Sequence, residues 1–261
     1  MSVDDLFTLR GRTALITGGG RGIGRTLVSG LAAAGADVAV VDIDLAGEDI
    51  RSEFAEVHRG TRCLLLEADV TDLEDVDRVV SETSRQLGGP HILVNNAGTN
   101  IRKPAAEVTA DDWAHVLDLN LRSYFFYARR AGEEMRREGG GKVINLASVM
   151  ALSVFRNPHA QTYAPYAASK GGVLSLTRAL AVEWAADNIQ VNAISPTFIE
   201  TPLTKRLQDD PDVYSAIKAR TPIGRFGRPD ELIGPCVFLA SRASDLVTGA
   251  NLVVDGGWTA A

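Results

Sequence analysis

The chain has 261 residues, of which 45% are hydrophobic and 23% charged, and its formal net charge is −6. That balance is ordinary for a globular protein, and the acidic excess argues against nucleic acid or an anionic membrane as a partner. No apolar run approaches the roughly 18 residues of a membrane span, and the N-terminal MSVDDLFTLR is acidic without a signal-peptide core, so a cytoplasmic location is expected.

In chain order, Thr13 to Thr17 is a short apolar run of strand type, followed by the Gly-rich TGGGRGIG. A helical pattern then runs from Ile23 through Leu27 and Leu31 to Ala34, closed by Gly35. Val38 to Val41 reads as a second buried strand ending at Asp42. Further strand-like runs lie at Cys63 to Leu66, Ile92 to Val94, Val143 to Leu146, Gln190 to Ile194 and Leu252 to Val254. Helical segments fill the gaps, the longest at about Ala110 to Arg137 and Pro165 to Ala186. Continuous apolar strands alternating with helices predict an α/β fold whose parallel sheet is covered on both faces. Gly88-Gly89-Pro90 and Gly139-Gly140-Gly141 read as turns, and with no repeat or break in composition a single domain over 1–261 is expected. Cys63 and Cys236 sit in apolar runs and read as reduced core residues. His58, His91, His115 and His159 lack ligand spacing, so no metal site is expected; His58 and His115 read as surface or packing residues. No G-x-S-x-G elbow is present, which removes an α/β-hydrolase reading.

A Gly-rich turn between a first strand and a helix offers backbone N–H groups and a positive helix end to a pyrophosphate. Here Gly18, Gly22 and Gly24 form G-x-x-x-G-x-G, a departure from G-x-G-x-x-G that suits the same task. The Asp42 carboxylate can accept hydrogen bonds from ribose hydroxyls and would repel a 2′-phosphate, which favours NAD over NADP; Arg21, a cation in the loop, is the opposing sign. Tyr166 and Lys170 stand four apart, one turn along a helix face. A phenol with a pKa of about 10 is a poor base at neutral pH, but a neighbouring ammonium favours the phenolate and could make Tyr166 a general acid/base. Such a pair alone is common on surface helices. Tyr163 is a rival for the role, but Pro165 places Tyr163 before the helix proper. Ser148 ends the run Val143 to Ser148, at the sheet edge where α/β proteins bind ligands.

Taken together, TGGGRGIG (Thr17 to Gly24), Asp69-Val70, NNAG (Asn95 to Gly98), Asn120, Ser148 and YAASK (Tyr166 to Lys170) resemble the short-chain dehydrogenase/reductase family over essentially the whole chain. The resemblance implies a Rossmann-like, doubly wound, seven-stranded parallel sheet of order 3-2-1-4-5-6-7, assembled as a homotetramer through the long helices and the C-terminal strand region. It implies a catalytic set of Asn120, Ser148, Tyr166 and Lys170. In that set Ser148 hydrogen-bonds the substrate oxygen and Tyr166 passes the proton. Lys170 lowers the Tyr166 pKa and binds nicotinamide-ribose hydroxyls, and Asn120 holds a water that links Lys170 to solvent. Cofactor contacts are implied for Gly18, Arg21, Gly22, Ile23, Gly24, Asp42 and Ile43, with Asp69 and Val70 at the adenine. Asn96, Ala97 and Gly98 would line the channel, and Pro196, Thr197, Ile199 and Thr201 would meet the nicotinamide end with Tyr166 and Lys170.

Two departures from the family fall near the substrate. Ser148 and Tyr166 are 18 positions apart, longer than is usual there, the excess lying in a loop from Val154 to Thr162 that should border the pocket. The family's Pro-Gly is Pro196-Thr197 here. The segment at about 200–222, with Pro202, Pro211 and Pro222, is expected to be a mobile lid. NAGTNIRK, Arg220 to Ser241 and Val254 to Trp258 are similar to the gluconate 5-dehydrogenase and 2-deoxy-3-keto-gluconate dehydrogenase branch. An NAD-dependent interconversion of a secondary alcohol and a ketone on a sugar acid or polyol is therefore expected, with Arg102, Arg156 and His159 beside Ser148 and Tyr166 at the substrate. The alternatives are an NADP-dependent 3-oxoacyl-carrier-protein reductase, against which Asp42 speaks, and a non-catalytic dinucleotide-binding regulator, against which the intact catalytic set speaks.

Overall fold

A computed structural model describes residues 2–45, 50, 54, 60–159 and 163–261. His58 and the last residues of the 154–162 loop lie outside the described residues. The strands are β1 Thr13–Thr17, β2 Asp37–Asp42, β3 Cys63–Glu67, β4 Ile92–Asn95, β5 Gly141–Leu146, β6 Ile189–Pro196 and β7 Asn251–Val254. The helices among the described residues are α1 Val3–Phe7, α2 Gly22–Ala33, α3 Leu73–Leu87, α4 Ala110–Leu117, α5 Ser123–Arg137, α6 Ala164–Glu183, α7 Lys205–Gln208, α8 Pro211–Arg220 and α9 Ile233–Ala240.

All seven strands pair in parallel in the order β3-β2-β1-β4-β5-β6-β7. The central strands β1 and β5 are buried at every position, which is why they read as unbroken apolar runs without alternation. One core lies between the sheet and α2 and α9, where Ile16 and Val40 meet Leu27, Leu31 and Leu239. The opposite face packs against α3, α5 and α6 through Val76, Val80, Tyr127, Ala131 and Leu180. Strand order reverses between β1 and β4, so the chain leaves their carboxyl ends in opposite directions and a crevice opens there.

The expected helix from Ala110 to Arg137 is not uniform. Five residues, Asp118–Arg122, form a π-helical turn between α4 and α5. Pro165 lies in the first turn of α6, and Tyr163 is that helix's N-cap, outside its helical geometry. A third, smaller core sits beyond the carboxyl edge of the sheet, where Phe155, Tyr163, Leu207, Val213, Phe226 and Trp258 pack together. Among the described residues no helix is long and apolar enough to cross a membrane.

Candidate active site

The crevice at the switch point is a cleft of about 600 Å³. Its glycine-rich wall follows β1, where Gly18 and Gly22 hold φ of +64° and +56°, angles that side chains rarely adopt. Gly24 meets the same need differently. A Cβ there would lie 2.0 Å from the Gly18 carbonyl oxygen, so only glycine lets α2 close onto the turn. Gly24 therefore packs beneath the loop and is not among the cleft-lining residues, although the sequence pattern grouped it with Gly18, Arg21, Gly22 and Ile23, which do line it. No side chain caps the first turn of α2, so its N-terminal N–H groups remain to serve an anion.

Asn96 holds this wall to β4. Its side-chain amide donates to the Thr17 carbonyl at 3.0 Å and the Gly18 carbonyl at 2.9 Å, while its backbone N–H donates to Thr17 Oγ1 at 3.0 Å. Ala97 and Gly98 continue along the cleft. At the end of β2, the Asp42 carboxylate accepts from the Gly20 N–H at 3.0 Å and the Ile43 N–H at 2.9 Å, and both Asp42 and Ile43 line the cleft. Asp69 and Val70 line the same end, with Asp69 Oδ1 accepting from the backbone and hydroxyl of Thr71. Pro196, Thr197, Ile199 and Thr201 line it from the segment that follows β6. An elongated anionic dinucleotide fits this wall: φ-positive glycines, an uncapped helix start and a carboxylate stand in the order that pyrophosphate and ribose require.

Ser148, Tyr166 and Lys170 also line this cleft. The Ser148 hydroxyl accepts from the Met150 N–H at 3.1 Å, which caps a short turn after β5, and it hydrogen-bonds Tyr166. Lys170, one turn along α6, is 4% exposed; its Nζ donates to the Leu146 carbonyl at 2.6 Å and the Tyr124 hydroxyl at 3.2 Å. The ammonium lies 5.8 Å from the centre of the Tyr166 ring. Asn120 projects from the π turn but lines no part of the cleft. Fully buried, it closes a pair of hydrogen bonds with the backbone of Thr99 (2.8 and 2.9 Å) and donates to Ser169 at 3.1 Å. It braces the residue beside Lys170, not Lys170 itself.

This chain matches the family described as Enoyl-(Acyl carrier protein) reductase over residues 18–259. It is 42% identical over 257 residues to a 2-dehydro-3-deoxy-D-gluconate 5-dehydrogenase of Pseudoalteromonas atlantica, covering 97% of each chain. The chain belongs to the short-chain dehydrogenase/reductase family. A D-threitol dehydrogenase of Mycolicibacterium smegmatis is 38% identical, with 99% of this chain and 97% of that one covered. A solved gluconate 5-dehydrogenase from Burkholderia cenocepacia, in complex with NADP and tartrate, superposes with a TM-score of 0.93 at 40% identity over 100% of both chains. This member of the family is accordingly a nicotinamide-dinucleotide oxidoreductase acting on CH–OH donors.

The electrostatics at Tyr166 and Lys170 are governed by burial. Burial pushes the Tyr166 phenol above its ordinary value, despite the Ser148 hydrogen bond and the charge of Arg102. Burial likewise lowers the Lys170 amine to about 7. The physical reason is that both groups are desolvated and, among the described residues, no carboxylate offsets the burial of Lys170, so each is biased toward its neutral form.

At the substrate end, Arg102 Nη2 donates to the Leu203 carbonyl at 3.0 Å, and its guanidinium feels Tyr163 and Tyr166. Arg156 and His159 do not join it. Arg156 is exposed, and His159 Nε2 lies 2.8 Å from Asp210 at the start of α8. The longer loop buries Phe155 against Trp258, and Arg220 of α8 binds Ser153 and Val154 and stacks 4.5 Å over Trp258. Val154 and His159 of that loop thus join α8 and its N-cap, and neither Arg156 nor His159 is among the cleft-lining residues. Sequence reasoning missed Tyr124, Asn95 and Arg220. Tyr124 stands four residues after Asn120, a spacing that could have pointed to it. Asn95 Nδ2, bonded to Asn145 and to the Tyr124 carbonyl, ties β4 to β5 and α5 behind the site.

Proposed function

We propose that this chain is an NAD-dependent dehydrogenase that interconverts a secondary alcohol and a ketone on a sugar acid or polyol. The observation that carries the reading is the convergence of Ser148, Tyr166 and Lys170 on one cleft beside the half-buried Arg102. When bound, the nicotinamide supplies the hydride acceptor or donor. Ser148 would orient the substrate oxygen, and Tyr166 would take up or return its proton. Lys170 and Tyr166 would hold the nicotinamide ribose, and Asn120 would fix the backbone around them. Asp42 would receive the adenosine ribose hydroxyls, with Asp69 and Val70 at the adenine.

Arg102 is the cation placed to pair with a sugar-acid carboxylate, and relatives named for gluconate and threitol support the substrate class. NAD is favoured by the Asp42 carboxylate inside the cleft. A specific observation favours NADP instead: that solved relative holds it, and Arg21 is exposed on the glycine-rich loop. The segment at about 200–222 would act as the lid. A homotetramer is supported by the outward-facing Trp113, Phe125 and Val182 of α4, α5 and α6.

The test is turnover of threitol and aldonates with either dinucleotide, followed at 340 nm, in the native enzyme and in Tyr166→Phe. Turnover in the variant should fall at least about a thousandfold, while dinucleotide binding, read by fluorescence, persists. Retained turnover removes the proton-transfer role of Tyr166, and activity on 3-oxoacyl thioesters alone removes the substrate class.

A further inference from the structure

Beside Ser148 and Tyr166 the cleft gives onto a recess of about 70 Å³, lined also by Asn100, Arg102, Tyr163 and Thr197. Three of these last four carry a buried polar atom that makes no hydrogen bond with the protein, namely Asn100 Oδ1, Arg102 Nε and Thr197 Oγ1, while the buried Tyr163 hydroxyl has Asn157 as its one protein partner among the described residues. Buried polar atoms in folded proteins are nearly always paired, because an unpaired one forfeits its hydration without return. Three such atoms and a phenol with one partner around one small space leave hydrogen-bonding capacity for a ligand. The recess has room for about two water volumes, which is the size of a carbon bearing a hydroxyl.

We propose that Asn100, Tyr163 and Thr197 form a subsite that reads a second hydroxyl, on the carbon next to the one oxidised or reduced. The chemistry of the set matches a hydroxyl, which both donates and accepts. The Asn100 carbonyl oxygen accepts, whereas the Tyr163 and Thr197 hydroxyls can do either. Burial raises the Tyr163 phenol, keeping it protonated as a donor, and Asn157 only partly offsets that rise. Thr197 is the link to the reaction, because it lines both the recess and the larger cleft; glycine there would present no hydroxyl. Leu203, Thr204 and Leu207 also line the recess, so the proposed lid would seal this contact. The inference rests on the sugar-acid or polyol reading above and narrows it to substrates with vicinal hydroxyls.

The experiment compares butane-2,3-diol with butan-2-ol, which differ by that hydroxyl alone, through the ratio of their kcat/KM values with NAD. Native protein should prefer the diol by at least about a hundredfold. Tyr163→Phe, Thr197→Val and Asn100→Leu, which remove a polar group and keep the volume, should each lower the ratio about tenfold. Effects on folding, cofactor binding or hydride transfer act on both alcohols alike and cancel in the ratio. A ratio unchanged in all three variants, including one in which both activities fall together, overturns the proposal. Failure of the native enzyme on both alcohols and on threitol, with turnover of a 3-oxoacyl thioester, would remove the substrate class and this subsite with it.

Discussion

Lys170 shows how far a spacing can be trusted. That it would stand one turn from Tyr166 was legible, because helix periodicity is local. The protonation balance was not, because it is set by what surrounds the pair after folding. Burial lowers the Lys170 amine from the ordinary 10.5 to about 7. Between those limits the unfolded chain holds more protons, so this residue's contribution to stability grows as pH rises and is lost as pH falls toward 7. Urea unfolding of the dinucleotide-free protein at pH 7.5, 8.5 and 9.5 should therefore give a slope that Lys170→Met flattens by up to about 1 kcal/mol per pH unit. Parallel slopes would mean that Lys170 stays charged. Asp42 offers a second residue-scale prediction, since its carboxylate lines the cleft with both oxygens turned to backbone N–H groups. Replacement by alanine removes the charge that a 2′-phosphate would meet at an effective dielectric near that of a protein surface. The ratio of kcat/KM for NADP over NAD should rise at least about tenfold in Asp42→Ala; no change would take discrimination away from this residue.

At the scale of elements, β1, the glycine-rich turn and α2 were readable because each depends on a short stretch of chain. Strand order came from resemblance to a family, and the parallel pairing from apolar runs that match two covered faces. The π turn around Asn120 could not be seen in the same way. Asp118–Arg122 has no proline or glycine to mark it, and its side chains would suit an unbroken α-helix. What holds Asn120 is tertiary, namely its bonds to Thr99 and Ser169. The partner of His159 was hidden for a similar reason, as this residue looked like a pocket cation whereas its ring lies against Asp210 at the start of α8. Glycine positions separate the two kinds of information in one experiment. Gly24→Ala forces a Cβ against the Gly18 carbonyl, and should cost about 2 kcal/mol or more in unfolding free energy and abolish dinucleotide binding. Gly171→Ala, in the interior of α6 with nothing within 4 Å of the added Cβ, should stabilise by about 0.5–1 kcal/mol. Denaturant melts of both variants decide the matter. Equal effects would mean that the turn tolerates a side chain after all.

Over the whole molecule, the two large cores against the sheet contrast with the small cluster beyond its carboxyl edge. In that cluster Phe198 contacts Phe155, Phe226 and Trp258, and α7 and α8 join it through Leu207, Val213, Ile217 and the Tyr214 ring stacked on Phe226. Polar ties in the same region include Arg220 to Ser153 and Val154, His159 to Asp210, and Arg102 to Leu203. Val154 and His159 belong to the longer loop, so its described residues are strapped to α8 and its N-cap in the proposed lid. Segments packed on a small peripheral cluster open at lower free energy than central strands. Amide hydrogen exchange should accordingly find Val213 to Ile217 opening at least about 2 kcal/mol below β4, β5 and β6. Arg220→Ala should speed exchange in α8 while leaving β5 unchanged, because the guanidinium reaches Ser153, Val154 and the rings of Phe155 and Trp258 but no residue of that strand. If α8 exchanged only with the sheet, the cluster would be part of one cooperative body and the segment would be no lid. If it opened first but ignored Arg220, the strap would be incidental, and closure would rest on the aromatic packing alone.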